Sequence, residues 1–228
     1  MERETNTIDF YQSGIKRDRL PWMGDLAVSL MASAYTFCHV ESVRWTLRVL
    51  GRCGANKLSP PSDFPTKGEN KEASIASCHI NGIVDYSLWY FICHWLHQRY
   101  FGDITFLLQE WRLIEQRLRY LLLCCSDKDT GMYILNDDDY LFIDWNGDRA
   151  EKSRSLQILW WYALNCAISL AQKVVDQVAE SGRDGCMSVF ITMLSDRQSR
   201  LENSYLQMND IQHGFSRHSH ILGVGRLF

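Results

Sequence analysis

The sequence lacks any excess of positive charge. Its 24 Lys and Arg stand against 27 Asp and Glu, a formal net charge of −3, and the cations are scattered among acids rather than gathered into a stripe. The electrostatic footprint of a nucleic-acid binder is missing, and nucleic acid is not an expected partner. The first residues, "MERETNTIDF", contain no apolar core of the kind a secretory leader needs. No run reads as the roughly 18 apolar residues of a membrane span. The expectation is a cytoplasmic chain with no membrane partner. Eight cysteines fall at 38, 53, 78, 93, 124, 125, 166 and 186 without a CxxC pair, and seven histidines form no HExxH motif. Neither a metal nor any other cofactor is therefore expected. The cysteines lie mostly inside apolar runs and read as reduced, buried small hydrophobes.

What is present is apolar material, 46% of residues, enough for a sizeable core in one domain spanning residues 1–228. Six segments have helical period. "WMGDLAVSLMASAYTF" puts Leu26, Leu30, Ala34 and Phe37 on one face, and "VESVRWTLRVLGR" follows with Val43, Leu47 and Leu50. Residues 54–77, with three of the four prolines, read as a long exposed loop. A second pair follows: "GIVDYSLWYFICHWLHQRY" is apolar on nearly all sides, whereas "ITFLLQEWRLIEQRLRYLLLCC" carries Glu110, Arg112, Glu115, Arg117 and Arg119 on a wet face. "SDKDTGMYILNDDDYLFIDWNGD" reads as an acidic loop with a small hairpin, and "SRSLQILWWYALNCAISLAQKVVDQVAE" with "DGCMSVFITMLSDRQSRLENSY" as a third helix pair. "FSRHSHILGVGRLF" reads as the start of a further helix.

Buried helix, short turn, two-faced outer helix, long loop: this repeat describes an all-α fold, either an α/α toroid or an α-solenoid. The long loops would gather on one rim. Aromatic residues make up 12% of the chain, and several stand beside acids at loop ends, as in Asp85-Tyr86, Asp139-Tyr140 and Asp144-Trp145. Rings beside carboxylates suit sugars, whose C–H faces stack while their hydroxyls donate to acids.

The blocks "KRDRLPWMGD", "VDYSLWY", "YLFIDW" and "FSRH", in this order, resemble the catalytic domain of the α-L-rhamnosidases, glycoside hydrolase family 78, and the likeness spans nearly the whole chain. The resemblance implies a six-hairpin (α/α)6 barrel, of which this chain would form about the N-terminal half, and inverting hydrolysis of terminal α-L-rhamnosides or related sugars. It implies Asp18 as the general acid, Arg17 and Asp25 as contacts to sugar hydroxyls, and Trp22 as a pocket wall. Asp144, Trp145, Asp85 and Trp89 match further positions near the sugar. Asp25, near a helix N-terminus, is expected to stay ionised.

Two departures stand out. Where the family has an Asp four residues before the arginine that precedes the general acid, this chain has Ser13, a weaker partner for a sugar than a carboxylate. The family's general base is a Glu on the later half of the barrel, and no counterpart is found here. Two readings thus stay open: a rhamnosidase-type glycosidase, and a catalytically inactive, truncated homologue serving as a carbohydrate- or protein-binding helical module. A third, a helical-repeat scaffold, explains the helix pairs but not the ordered blocks. A half toroid would leave apolar helix sides uncovered, so self-association through the incomplete edge is also expected.

Overall fold

A computed structural model describes residues 20–53, 79–143, 148–179 and 185–207. These residues form six helices: α1 (Met23–Tyr35), α2 (Val40–Arg52), α3 (Val84–Phe101), α4 (Ile104–Cys124), α5 (Arg149–Ala179) and α6 (Gly185–Gln207), with a 3-10 turn at Ile80–Gly82 before α3. Among the described residues there is no β-strand, only a single antiparallel bridge between Ser126 and Tyr133 where the small hairpin was expected. The fold is all-α. The 54–77 loop and the "FSRHSHILGVGRLF" segment lie outside the described residues.

Local chemistry fixes the hairpins. Gly102 closes α3 in the left-handed conformation, φ 63°, and its N–H donates to Gln98 O at 3.0 Å. The next residue, Asp103, opens α4 by accepting the Phe106 N–H at 3.1 Å. Glycine past one helix and an acidic cap before the next turn the chain within two residues. At the first hairpin α1 stops at Tyr35, Thr36 bonds back to Ala32 O at 2.7 Å, and Cys38 takes φ 52° with its N–H on Ser33 O.

The helices arrange in two layers. The inner helices α1, α3 and α5 pack side by side, and α2, α4 and α6 lie outside them, each paired with an inner helix. Three hairpins in this arrangement make an arc of a helical toroid, about half of a six-hairpin ring. The core runs through α3, where Leu88, Tyr90, Phe91, Ile92 and Cys93 are all buried, and into α5 through Leu156, Trp160, Ala163, Leu164 and Leu170. Val43, Leu47 and Leu50 are buried as the sequence pattern predicts.

Several expectations change in three dimensions. Phe37 lies beyond the end of α1 and is exposed, and Ala34 is only half-buried. The buried face is instead Met23, Leu26, Ala27, Leu30 and Ser33, because the helix ends at Tyr35, two residues before Phe37 could join the stripe. Glu110 and Arg117 are buried rather than wet. Glu110 accepts from Arg48 Nε at 2.9 Å, and Arg117 donates to the carbonyls of Gly51, at 2.9 Å, and Cys53 at the end of α2. Both charges are matched by groups on α2, which is what makes their burial tolerable. Among the described cysteines none forms a disulfide, and Cys93, Cys125 and Cys166 are buried, but Cys38 is exposed at the first hairpin turn. Within Arg149–Val178 of α5 one 18-residue window is long and apolar enough to cross a membrane by length and composition alone. Of that window 56% is buried inside the protein, where α5 serves as a core helix against α3 and α6.

Candidate functional site at the rim

The inner helices begin on one rim, and three chain segments meet there: the approach to α1, the first turn of α3 with the 3-10 turn before it, and the loop between α4 and α5. Val84 N–H donates to Tyr140 O at 3.1 Å, and Phe142 N–H donates to Asp85 Oδ1 at 2.7 Å. These two bonds lay residues 140–142 across the N-terminus of α3. Asn81 Nδ2 donates to Pro21 O at 3.2 Å and ties the approach to α1 to the same place. Asn81 holds φ 56°, a left-handed conformation that asparagine accepts more readily than most residues.

Aromatic side chains follow the backbone. Trp22 meets Tyr86 edge-on, ring centroids 6.2 Å apart, and Tyr86 meets Phe142 edge-on at 6.1 Å. The result is a row of three rings from three segments, each contact in the range that contributes about 0.5–1.5 kcal/mol beyond area burial. Gly24 permits the row: a Cβ there would lie 2.9 Å from Tyr86 Cε1. Tyr86 and Phe142 were not singled out from the sequence as site residues. The signal for Tyr86 lay in the Asp85-Tyr86 pair and the block "VDYSLWY", and that for Phe142 in the block "YLFIDW".

The residues expected at the site divide into three groups. Trp22 is half-buried within the row, and Asp25 sits half-buried in the first turn of α1, where the helix dipole favours its charge. Trp89 lies one turn beyond Asp85 on α3, half-buried and packed against the core. Asp85 is fully buried in the helix's first turn rather than in a loop, so its carboxylate meets the Phe142 amide instead of an open surface. Asp18, Arg17, Asp144 and Trp145, together with Ser13, lie outside the described residues.

Burial pushes the Asp85 carboxyl up to about 6, against the opposing pull of the Phe142 amide, its own backbone N–H and Lys152 on α5. Its Oδ2 has no hydrogen-bond partner. A second buried polar pair stands at the same turn: His79 Nδ1 lies 3.0 Å from Ser87 Oγ, which also accepts the Ile80 N–H at 3.1 Å. Desolvation lowers His79 to about 4, outweighing the nearby Asp139 carboxylate, so the ring is neutral near pH 7. With Ser87 buried and its oxygen engaged by Ile80, this pair organises the entry to α3 and offers no nucleophile. Asp139 is likewise committed, its Oδ2 accepting the Asn136 N–H at 2.8 Å within a tight turn, while Tyr140 beside it is exposed. Among the described residues no group of three His, Cys, Asp or Glu side chains could hold a metal.

No family model matches the chain. No curated protein matches it either. Among solved structures it is similar to a rhamnosidase from Klebsiella oxytoca with rhamnose bound, with a TM-score of 0.63 and 21% sequence identity over 87% of this chain. The likeness is one of fold. It covers 34% of that rhamnosidase, so the chain spans about a third of its neighbour's length.

Proposed function

We propose that this chain, a single helical domain, is glycoside-hydrolase-like and acts on terminal α-L-rhamnosides or closely related sugars. The observation that carries the reading is the shared fold with a rhamnosidase that holds rhamnose. It is supported by the position of the Trp22–Asp25 block at the start of an inner helix, beside the Tyr86–Phe142 row. In this reading Asp18 donates a proton to the leaving glycosidic oxygen while a water attacks the anomeric carbon from the opposite face and gives its proton to a base. Inversion requires those two carboxyl groups to stand roughly 6.5–9.5 Å apart to admit the water. The base is unassigned. Arg17, Trp22, Asp25, Trp89, Asp144 and Trp145 hold the sugar, and Asp85 belongs to the same site in another capacity. The test is hydrolysis of 4-nitrophenyl α-L-rhamnopyranoside by the wild type and Asp18→Asn. Turnover by the wild type that falls at least a hundredfold in the variant supports the reading; equal turnover by both removes Asp18 from the role of acid.

Ser13, in place of the family's usual acid, favours a second reading, that of a sugar-binding helical module without turnover. Binding of L-rhamnose by calorimetry with no hydrolysis by either protein selects it. Neither binding nor hydrolysis rejects both readings.

A further inference from the structure

The carboxylate of Asp85 is the most deeply buried acid at the rim, and no step of the proposed chemistry uses it. It has no exposed surface. One oxygen accepts the Phe142 N–H, 57 residues away in sequence, and the carboxylate is also held by its own backbone N–H. The other oxygen is buried without a partner. A charge with no surface, met by two backbone amides and the weaker pull of Lys152, is incompletely compensated, and an apolar residue at this position of an otherwise apolar helix face would cost the fold less. What the carboxylate does supply is geometry. Its bond and the adjacent Val84 N–H to Tyr140 O bond hold alternate residues of one extended segment, and Phe142 then lies with its ring edge-on to Tyr86, which in turn meets Trp22.

We infer that Asp85 is a positioning residue: it straps residues 140–142 of the α4–α5 loop to the first turn of α3 and thereby sets Phe142 in the aromatic row that borders the sugar site. The inference rests on the proposed sugar-binding reading for its consequence, but the strap itself does not. Asp85 acts through Phe142 and touches no sugar. Replacement by Ala removes the acceptor, whereas Asn keeps an oxygen where Oδ1 stands and differs from the acid mainly in charge.

Amide hydrogen exchange on the full chain, with L-rhamnose binding measured in parallel, separates the two parts. In Asp85→Ala the Phe142 amide should exchange at least tenfold faster while amides of Leu88–Phe91 within α3 stay protected, and Asp85→Asn should restore slow exchange at Phe142. The dissociation constant for L-rhamnose should rise at least fivefold in Asp85→Ala and return to within about twofold of wild type in Asp85→Asn. Unchanged exchange at Phe142 in Asp85→Ala overturns the strap. Faster exchange with unchanged rhamnose affinity upholds the strap and overturns its positioning role. A wild type that binds no rhamnose refutes the sugar reading and with it the positioning role, while the exchange of Phe142 still decides the strap.

Discussion

Replacing Asp85 with Asn should stabilise the protein near neutral pH, by an amount that depends on pH in a calculable way. The carboxyl is moved from 3.8 to about 6 by burial. A shift of that size corresponds to about 3 kcal/mol between the two protonation states. Because the folded pKa is raised, the native state holds its proton more tightly than the unfolded chain. The associated stability is therefore greatest below the unfolded value and is lost as pH rises through about 6. An amide mimics the protonated acid at every pH. The gain from Asp85→Asn should accordingly be small near pH 4, about half its full size near pH 5, and about 3 kcal/mol above pH 6. The histidines act in the opposite direction. His79 and His97 are lowered to about 4, chiefly by desolvation, and His94 falls well below its ordinary value for the same reason. Each contributes stability present above about 6.5 and lost as pH falls toward 4, on the order of 3 kcal/mol for each of the first two. Several histidines outweigh one aspartate, so the wild type should lose stability on acidification and Asp85→Asn should lose it more steeply. Urea unfolding of both proteins at pH 5.0, 6.0 and 7.5 reads the difference directly. A gain that is equal at all three values, or a variant less stable than wild type at pH 7.5, would refute the reasoning.

Three further outcomes follow from particular contacts. Gly51→Ala places a methyl 2.6 Å from the buried hydroxyl of Tyr90; overpacking of about 1–3 kcal/mol exceeds the helix-propensity gain of at most about 1, and the melting temperature should fall. Arg117→Met keeps the apolar stem but leaves the Gly51 and Cys53 carbonyls without their donor. A loss of about 2–4 kcal/mol is expected on urea unfolding, and a loss below 1 would show that water replaces the guanidinium. Self-association through the edges of the arc is proposed from Val28 on α1 and Val189 on α6, each 69% exposed on the first and last described helices. Sedimentation velocity should show an oligomer that weakens in Val28→Lys with Val189→Lys, and a monomer at all concentrations refutes it.

The hairpin architecture was legible because it is written in periods. A helix apolar on nearly all sides, as in residues 84–101, must be covered on several sides, and α3 is, by α1 and α5 beside it and by α2 and α4 outside it. The Gly102-Asp103 pair carried its own stop and start signals. Val43, Leu47 and Leu50 could be placed by spacing alone. Glu110 and Arg117 could not, because a charge on an amphipathic helix reads as wet unless its partner is known. Those partners, Arg48 and the end of α2, lie more than sixty residues away. Phe37 was misplaced because a periodic stripe does not announce where the helix stops.

At the rim the division is sharper. Sequence supplied the ordered blocks, the aromatic-acid pairs and the expectation that loops before inner helices share one edge. It could not tell a carboxylate facing a ligand from one facing a backbone amide, since Asp85 reads the same in either role. Only the crossing of residues 140–142 over α3 decided that, through a hydrogen bond spanning 57 residues and a burial that pushes the acid up to about 6. Sequence alone determined the helices and their pairing, because these rest on local periodicity. Tertiary structure decided which charges are buried and what they hold, because desolvation and partner geometry exist only once distant segments meet.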